Sequence, residues 1–407
     1  MKIRSITYFC NPGWPVDDSK FEQAGKFLAE AKAAYETAGY KVQTTRLATV
    51  SFLQMLGADK ISETPRLAEQ VASAIQFAGI AYAALGPAQP EVPDSFAVIP
   101  EAIAAAQNIF FSGVMADTRF GISLPAVQAC AEVITRCSPI TPDGFANLRF
   151  AALANVKPGS PFFPAAYHGH DEPAFSIATE AADLAVEVFT NSRTVTDGQS
   201  KMASEIEKHA RELALTGDAL GRRFSIAFSG IDFSLAPFPS DTASIGAAME
   251  RMGIPKAGLH GSLAAAAILT EIVERARFPG VGFSGLMLPV LEDSVLAQRA
   301  AEGTLTVKDL LLYSAVCGTG LDTVPLPGDT TAKQIAALLL DLSALALRLN
   351  KPLTARLMPI PGKKAGDPTN FNFDYFANSR VMALEAQALK PPLSETRQIT
   401  LASRHMH

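Results

Sequence analysis

Short stretches with a two-residue apolar period recur along this chain, and segments with helical spacing follow them. That alternation limits the fold more than any single motif does. Residues 2–9, "KIRSITYF", read as a strand, and 17–38 carry apolar positions at helical spacing before Gly39. "YKVQTTRLA" (40–48) predicts a second strand, a helix follows near 64–78, and "IAYAALG" (80–86) is a third strand. A short helix at 95–106 precedes the apolar strand "NIFFSGVM" (108–115), and "LPAVQACAEVITRC" (124–137) is helical with Pro125 in its first turn. "FANLRFAALANV" (145–156) is strand-like, and the Pro-, Gly- and His-rich residues 158–173 read as a long loop. Two helices are expected near 175–190 and 199–220. Beyond them, strands fall in "FSIAFSGIDFSL" (224–235), "GVGFSGLMLPVL" (280–291), "LDTVPL" (321–326) and "LTARLMPI" (353–360). Helices separate these strands at 243–252, 261–277, 293–302, 306–316 and 330–349. Such alternation predicts an α/β protein with mostly parallel strands and helices outside, without separating an open sheet from a barrel.

The 407 residues read as a single large α/β domain, 1–407. Within it, 1–195 form an N-terminal half, 196–222 a hydrophilic connecting helix, 223–370 a C-terminal half carrying most of the polar motifs, and 371–407 an irregular tail. With 48% apolar and 18% charged residues the chain can bury a sizeable core. A net charge of −5 and the lack of Lys/Arg-rich runs argue against nucleic acid and anionic membranes as partners. The four cysteines, 10, 130, 137 and 317, form no CxxC pair, which suits reduced thiols. The most apolar stretch, "IAALLLDLSALALRL", is broken by Asp341 and Ser343 and reads as a buried helix. The expectation is a cytoplasmic protein, with alanine-rich helices leaving room for a homodimer interface.

Polar residues cluster where strands end, which is where α/β proteins assemble their sites. "SGIDFSLAPFP" places Asp232 at one such end, "MLPVLED" places Glu292 and Asp293 at another, and "CGTGLDTVPLPGD" supplies Cys317, Asp322 and Asp329. His260 and a capping Ser262 stand at the start of a helix in "GLHGSLAAAA". Cys317, flanked by Gly318 and Gly320, is the candidate nucleophile or general acid/base; His260 with Asp232, Glu292 or Asp322 would move protons. Arg119, Arg356 and Lys363 are the candidate anchors for an anionic substrate, with Asp329 and Ser262 as further binding groups. Arg356 lies inside an apolar strand, so it needs a carboxylate partner: Asp232, Asp322 or a ligand. His168 and His170 in "YHGHDEP" share a side if extended and, with Asp293 or the other strand-end carboxylates, are candidate ligands for a divalent metal. "PGKKAGD" is not a phosphate loop, and neither a dinucleotide fingerprint nor a Gly-x-Ser-x-Gly elbow is present.

Taken in order, "DFSLAPFP", "GLHGSLAAAA", "GFSGLMLPVLED", "AVCGTGLDTVPLPGD" and "ARLMPIPGKKAGD" resemble the DUF711 family, related to the UPF0210 group, and "ITYFCNPGWP" with "NIFFSGVMADTRFGISLPA" resembles the family's N-terminal half. The resemblance implies a ten-stranded α/β barrel-like core similar to that of pyruvate formate-lyase and ribonucleotide reductase, in which a central loop presents a cysteine. Cys317 is the candidate for that position. The C-terminal "PPLSETRQITLASRHMH" lacks the glycyl-radical segment of those enzymes. The reading is therefore a non-radical enzyme of lyase, hydrolase or acyl-transfer type acting on a small carboxylate-bearing metabolite. The alternatives are a metal-dependent enzyme using the strand-end carboxylates and a non-catalytic metabolite-binding protein.

Overall fold

The computed structural model describes residues 1–404. Its strands are β1 (Lys2–Cys10), β2 (Val42–Thr49), β3 (Tyr82–Ala88), β4 (Ile109–Asp117), β5 (Gly121–Ser123), β6 (Phe150–Ala154), β7 (Ala174–Glu180), β8 (Ala227–Asp232), β9 (Gly320–Pro327), β10 (Leu353–Ile360) and β11 (Gln398–Ile399). They form one mixed sheet of eleven strands whose main path runs β8-β7-β1-β2-β3-β4-β6-β10-β9, with β5 and β11 extending from the end of β4. Neighbours on that path are parallel except at β1–β7 and β6–β10, which are antiparallel.

Segment 280–290, expected as a strand, instead makes single bridges: Ile231 to Gly280, Leu235 to Leu286, and Pro289 to Asp322. Leu235 N donates to Gly285 O at 2.8 Å and Val290 N to Asp322 O at 3.1 Å, so this segment touches the strands at both ends of the path. Gly282 and the prolines around it keep the ladder from becoming continuous.

β7 corrects the expected helix over 175–190: Ala174–Glu180 is a strand and only Ala182–Thr190 is helical. Both faces of β7 are buried, Phe175 and Ile177 on one and Ser176 and Ala178 on the other, so "AFSIATE" shows no solvent-facing side, and its alanines suit a helix equally well. The connecting helix spans Val195–Phe224 and buries Met202, Ile206, Ala210 and Leu213 on one stripe.

Alternation along the strands separates two cores. Ile6, Tyr8, Phe175 and Ile177 pack with Phe21, Phe27 and Leu28 of the helix Asp18–Thr37. On the other face Phe9, Ala48, Ala84 and Phe110 pack around Phe163 and Ala166, while Val114, Ala151, Leu153 and Met287 pack around Phe162 and Ala165. The loop after β6 therefore covers the inner face of the sheet.

Candidate functional site

A one-residue irregularity starts the site. β1 and β7 slip register between Ile3 and Ser5, which leaves Arg4 as the extra residue. Its guanidinium donates to Glu292 and, through Nη1, to Pro237 O at 3.1 Å. Glu292 also accepts from Arg356 Nη2 at 2.7 Å, and Arg356 Nε donates to Asp322 Oδ1 at 2.6 Å. Arg4 lies 3.9 Å from Glu180, which is itself 3.2 Å from Lys2 and accepts from Gln43. The result is a continuous chain of charges, Asp322–Arg356–Glu292–Arg4–Glu180–Lys2, drawn from five strands or strand ends.

Arg4, Arg356 and Glu292 line a cavity of about 130 Å³, together with Arg46 from β2 and Arg149 before β6. Its remaining wall is largely aromatic: Tyr82, Phe110, Phe145, Phe162, Phe163, Phe373 and Tyr375. Arg149 spends its Nη1 on the carbonyls of Ile103 and Ala106. Arg46 differs. Its Nε donates to Thr44 Oγ1 at 2.9 Å and its guanidinium lies 5.1 Å from the Phe163 ring, yet among the described residues no carboxylate pairs with it. Burial, reinforced by Arg4, lowers its pKa to about 9. A guanidinium with no paired carboxylate, facing an aromatic-walled cavity, has donors to offer an anion.

The two carboxyls of the cluster are driven apart. Burial pushes both upward. At Glu292 the neighbouring Arg4 and Arg356 outweigh it and hold the group below its usual range. At Asp322 burial prevails over Arg356, and the Glu292 charge adds to it, so its pKa is raised. Divergent pairs of this kind are how active sites separate proton-holding from charged groups. Thr323, directly after Asp322, is a β-branched residue at φ 43°, a strained backbone held by Leu291 N donating to its Oγ1 at 3.3 Å.

Of the sequence candidates, Arg356, Glu292 and Asp322 come together, and Arg356 finds two carboxylates. The others lie elsewhere. Asp293 points away from Glu292 and joins two helix starts: it accepts from Val295 N and Leu296 N of its own helix, and from Ile245 N, Gly246 N and Ser244 Oγ of another. Asp232 is filled by Phe283 N, Ser284 N and Ser234 Oγ and fastens the 282–284 turn to the end of β8. His260 is exposed, and the helix after it is capped by Gly261, with Ser262 its first residue and its Oγ accepting from Gly258 N. Arg119 is exposed and paired with Asp117; Asp329 is exposed and Lys363 half-buried, and neither lines the cavity. His168 is buried with Nε2 on Glu172 O, and His170 is exposed. Among the described residues no group of three or more His, Cys, Asp or Glu is arranged to hold a metal ion.

Cys317 is fully buried in the helix-packed core and does not line the cavity; Gly320 N donates to its Sγ at 3.4 Å. Its glycines serve packing. A Cβ at Gly318 would come within 3.0 Å of Leu286 O, and one at Gly320 within 2.5 Å of Thr354 O. The segment that reaches the inner face is 160–166, which contains no cysteine.

Arg4 and Arg46 are the functional candidates that the sequence reading missed. Both stand in strand patterns, and the rule that singled out Arg356, a charge inside a strand needing a partner, applies to them as well.

The family model described as "Uncharacterised ACR (DUF711)" matches residues 1–376. A UPF0210 protein of Pyrobaculum aerophilum is 38% identical over 264 residues, covering 62% of this chain and 57% of that relative. Thus the chain spans little more than half the length of that relative. A UPF0210 protein of Neisseria meningitidis is 30% identical over 371 residues, covering 87% and 82%, and one of Methanopyrus kandleri is 30% identical over 367 residues, covering 85% and 80%. With the family match running from the first strand to the last cavity-lining aromatics, the chain belongs to the DUF711 family.

Proposed function

We propose that this protein binds a small carboxylate-bearing metabolite in the cavity and acts on it by proton transfer, without a radical. The observation that carries this is Arg46, an unpaired, desolvated guanidinium beside a second arginine at a cavity wall. Arg46 and Arg4 anchor the carboxylate. Glu292 is the carboxylate a bound ligand meets, and Asp322 is a positioning residue that acts through Arg356. Of the lyase, hydrolase and acyl-transfer classes, the lyase fits best, because it needs proton donors and acceptors but no side-chain nucleophile. A cavity of about 130 Å³ is close to one of roughly 150 Å³ that holds benzene, so the part of the ligand seated in it has about six heavy atoms.

The barrel-like architecture belongs to the same proposal. The nine strands of the path and segment 280–290 make ten, and the bridges of that segment to both path ends support closure around the cavity. The two antiparallel seams divide those ten into two sets of parallel strands.

The test is calorimetric titration of propionate and other short carboxylates into the wild type, Arg46→Met and Cys317→Ser. Binding to the wild type and to Cys317→Ser, with loss of at least tenfold in Arg46→Met, is expected. Undiminished binding by Arg46→Met removes the anion-site reading, and a loss confined to Cys317→Ser restores a cysteine-centred one.

A further inference from the structure

The inner face between β1 and β7 carries a row of hydroxyls with nothing to bond. Ser5, Thr7 and Ser176 are fully buried and have no hydrogen-bond partner among the described residues, and the same holds for Ser112 on β4. Register places them in line: Ser5 opposite Ala178, Thr7 opposite Ser176, Phe9 opposite Ala174. Ala178 lines the arginine-walled cavity. Phe9 and Ala174 line a second space of about 460 Å³, an open cleft that also takes in Lys157, Ser160, His168 and His170. The hydroxyl row thus runs from cavity to cleft, about 13 Å along the strand for the four residues between Ala178 and Ala174.

One loop forms the wall between the two spaces. Its residues 155–160 and 168–170 face the cleft, and Pro161, Phe162 and Phe163 face the cavity. Phe163 and Ala166 pack with Phe9, Ala48, Ala84 and Phe110 on the inner face that carries the row. The loop is tied at its ends, by His168 N to Thr49 O and Gly159 N to Tyr167 O, both 2.8 Å. Among the described residues its middle, 160–166, makes no hydrogen bond to any strand. An apolar cover over unpaired hydroxyls, joined to the strands by side-chain packing and not by backbone hydrogen bonds, can move without breaking the sheet ladder.

We infer that cavity, hydroxyl row and cleft are one ligand channel, that residues 160–166 are a displaceable plug across it, and that the ligand is an extended polyhydroxylated carboxylate. This rests on the anion reading of Arg46. The carboxylate sits at Arg46, and the hydroxyl-bearing chain runs along Ser5, Thr7 and Ser176. A hydroxyl both donates and accepts, which matches the unassigned roles of those side chains. Phe9, Phe110 and Phe163 supply apolar faces for the C–H edges of the same chain.

The experiment compares gluconate, a six-carbon polyhydroxy acid, with propionate on wild type, Arg46→Met and the double variant Thr7→Val, Ser176→Ala. Gluconate is expected to bind the wild type about tenfold or more tighter than propionate, and the double variant to lose that advantage while binding propionate normally. Its melting temperature should not fall, because Thr7→Val exchanges an unpaired hydroxyl for a methyl and Ser176→Ala removes another. Gluconate binding no tighter than propionate in the wild type, or unchanged in the double variant, overturns the proposal. So does a lowered melting temperature with gluconate affinity intact, which makes the hydroxyls structural. If the double variant loses gluconate while Arg46→Met keeps it, the channel stands and the anion anchor falls. Hydrogen exchange on the wild type guards against a variant that does not fold: gluconate, but not propionate, should alter exchange across 160–166, and unchanged exchange there refutes the plug.

Discussion

Arg46→Met should make the protein more stable and remove its ligand response. The guanidinium's pKa falls from 12.5 to about 9 on folding, chiefly through burial. Fully converted at about 1.4 kcal/mol per unit, that is about 5 kcal/mol against the charged form. Arg46 is partly exposed to the cavity, so solvent in that space reduces the figure to about 2 kcal/mol. Unfolding entropy of about 2 cal/mol/K per residue gives this chain roughly 0.85 kcal/mol/K, so about 2 kcal/mol raises the melting temperature by about 2–3 °C. Methionine keeps most of the volume and the contact with Phe163, limiting any cavity penalty. The sign of the pH dependence follows from the lowered pKa. The cost of charged Arg46 is fully present below about 9, and wild-type stability recovers as pH rises through that value. The advantage of Arg46→Met should therefore shrink above pH 9. Scanning calorimetry at pH 7 and pH 10, with and without propionate, reads all of this. A variant less stable than wild type at pH 7, or one still stabilised by propionate, refutes the reasoning.

Arg356→Met leaves Glu292 and Asp322 buried without their shared cation and should destabilise by about 3–5 kcal/mol at pH 7 in urea unfolding. Glu292 is held below its usual range in the fold, so its contribution is present above the unfolded pKa and is lost as pH falls; the gap between variant and wild type should therefore narrow toward pH 4. Asp293→Ala removes caps from two helices at once and should cost about 3 kcal/mol, seen as a lower urea midpoint with ligand binding kept. Cys317→Ser puts a hydroxyl into an apolar core and should cost about 1–3 kcal/mol in the same assay.

The alternation of strand and helix patterns was legible because most strands contrast a helix-packed face with a differently filled inner one. β7 was not, because "AFSIATE" is buried on both sides, Phe175 and Ile177 on one and Ser176 and Ala178 on the other, so no solvent-facing residue marks its period. Arg356 stood out because Leu, Met and Ile surround it. Arg4 and Arg46 sit among Ser and Thr, where a charge looks at home, and only the β1–β7 irregularity and the cavity single them out. Glu292 and Asp293 show what spacing can and cannot do. Adjacent residues in extended backbone face opposite ways, so only one could enter the site, but nothing local says which. Cys317 misled for a physical reason: glycines that permit close approach of a ligand equally permit close approach of backbone, and here the partners are the carbonyls of Leu286 and Thr354.

The chain of charges also sets an order of assembly. Arg4 is among the first residues made, and its carboxylate partner Glu292 lies 288 positions later. At about 5–20 residues per second, synthesis leaves that arginine without this partner for roughly 15–60 s, with Glu180, 3.9 Å away, as its earlier carboxylate. Among the described residues no carboxylate pairs with Arg46. Closing the first half of this molecule early therefore buries Arg46 unpaired and Arg4 with Glu180 alone. β9 and β10, whose Asp322 and Arg356 complete the circuit, are made late, so the full chain of charges can close only after most of the protein has been synthesised.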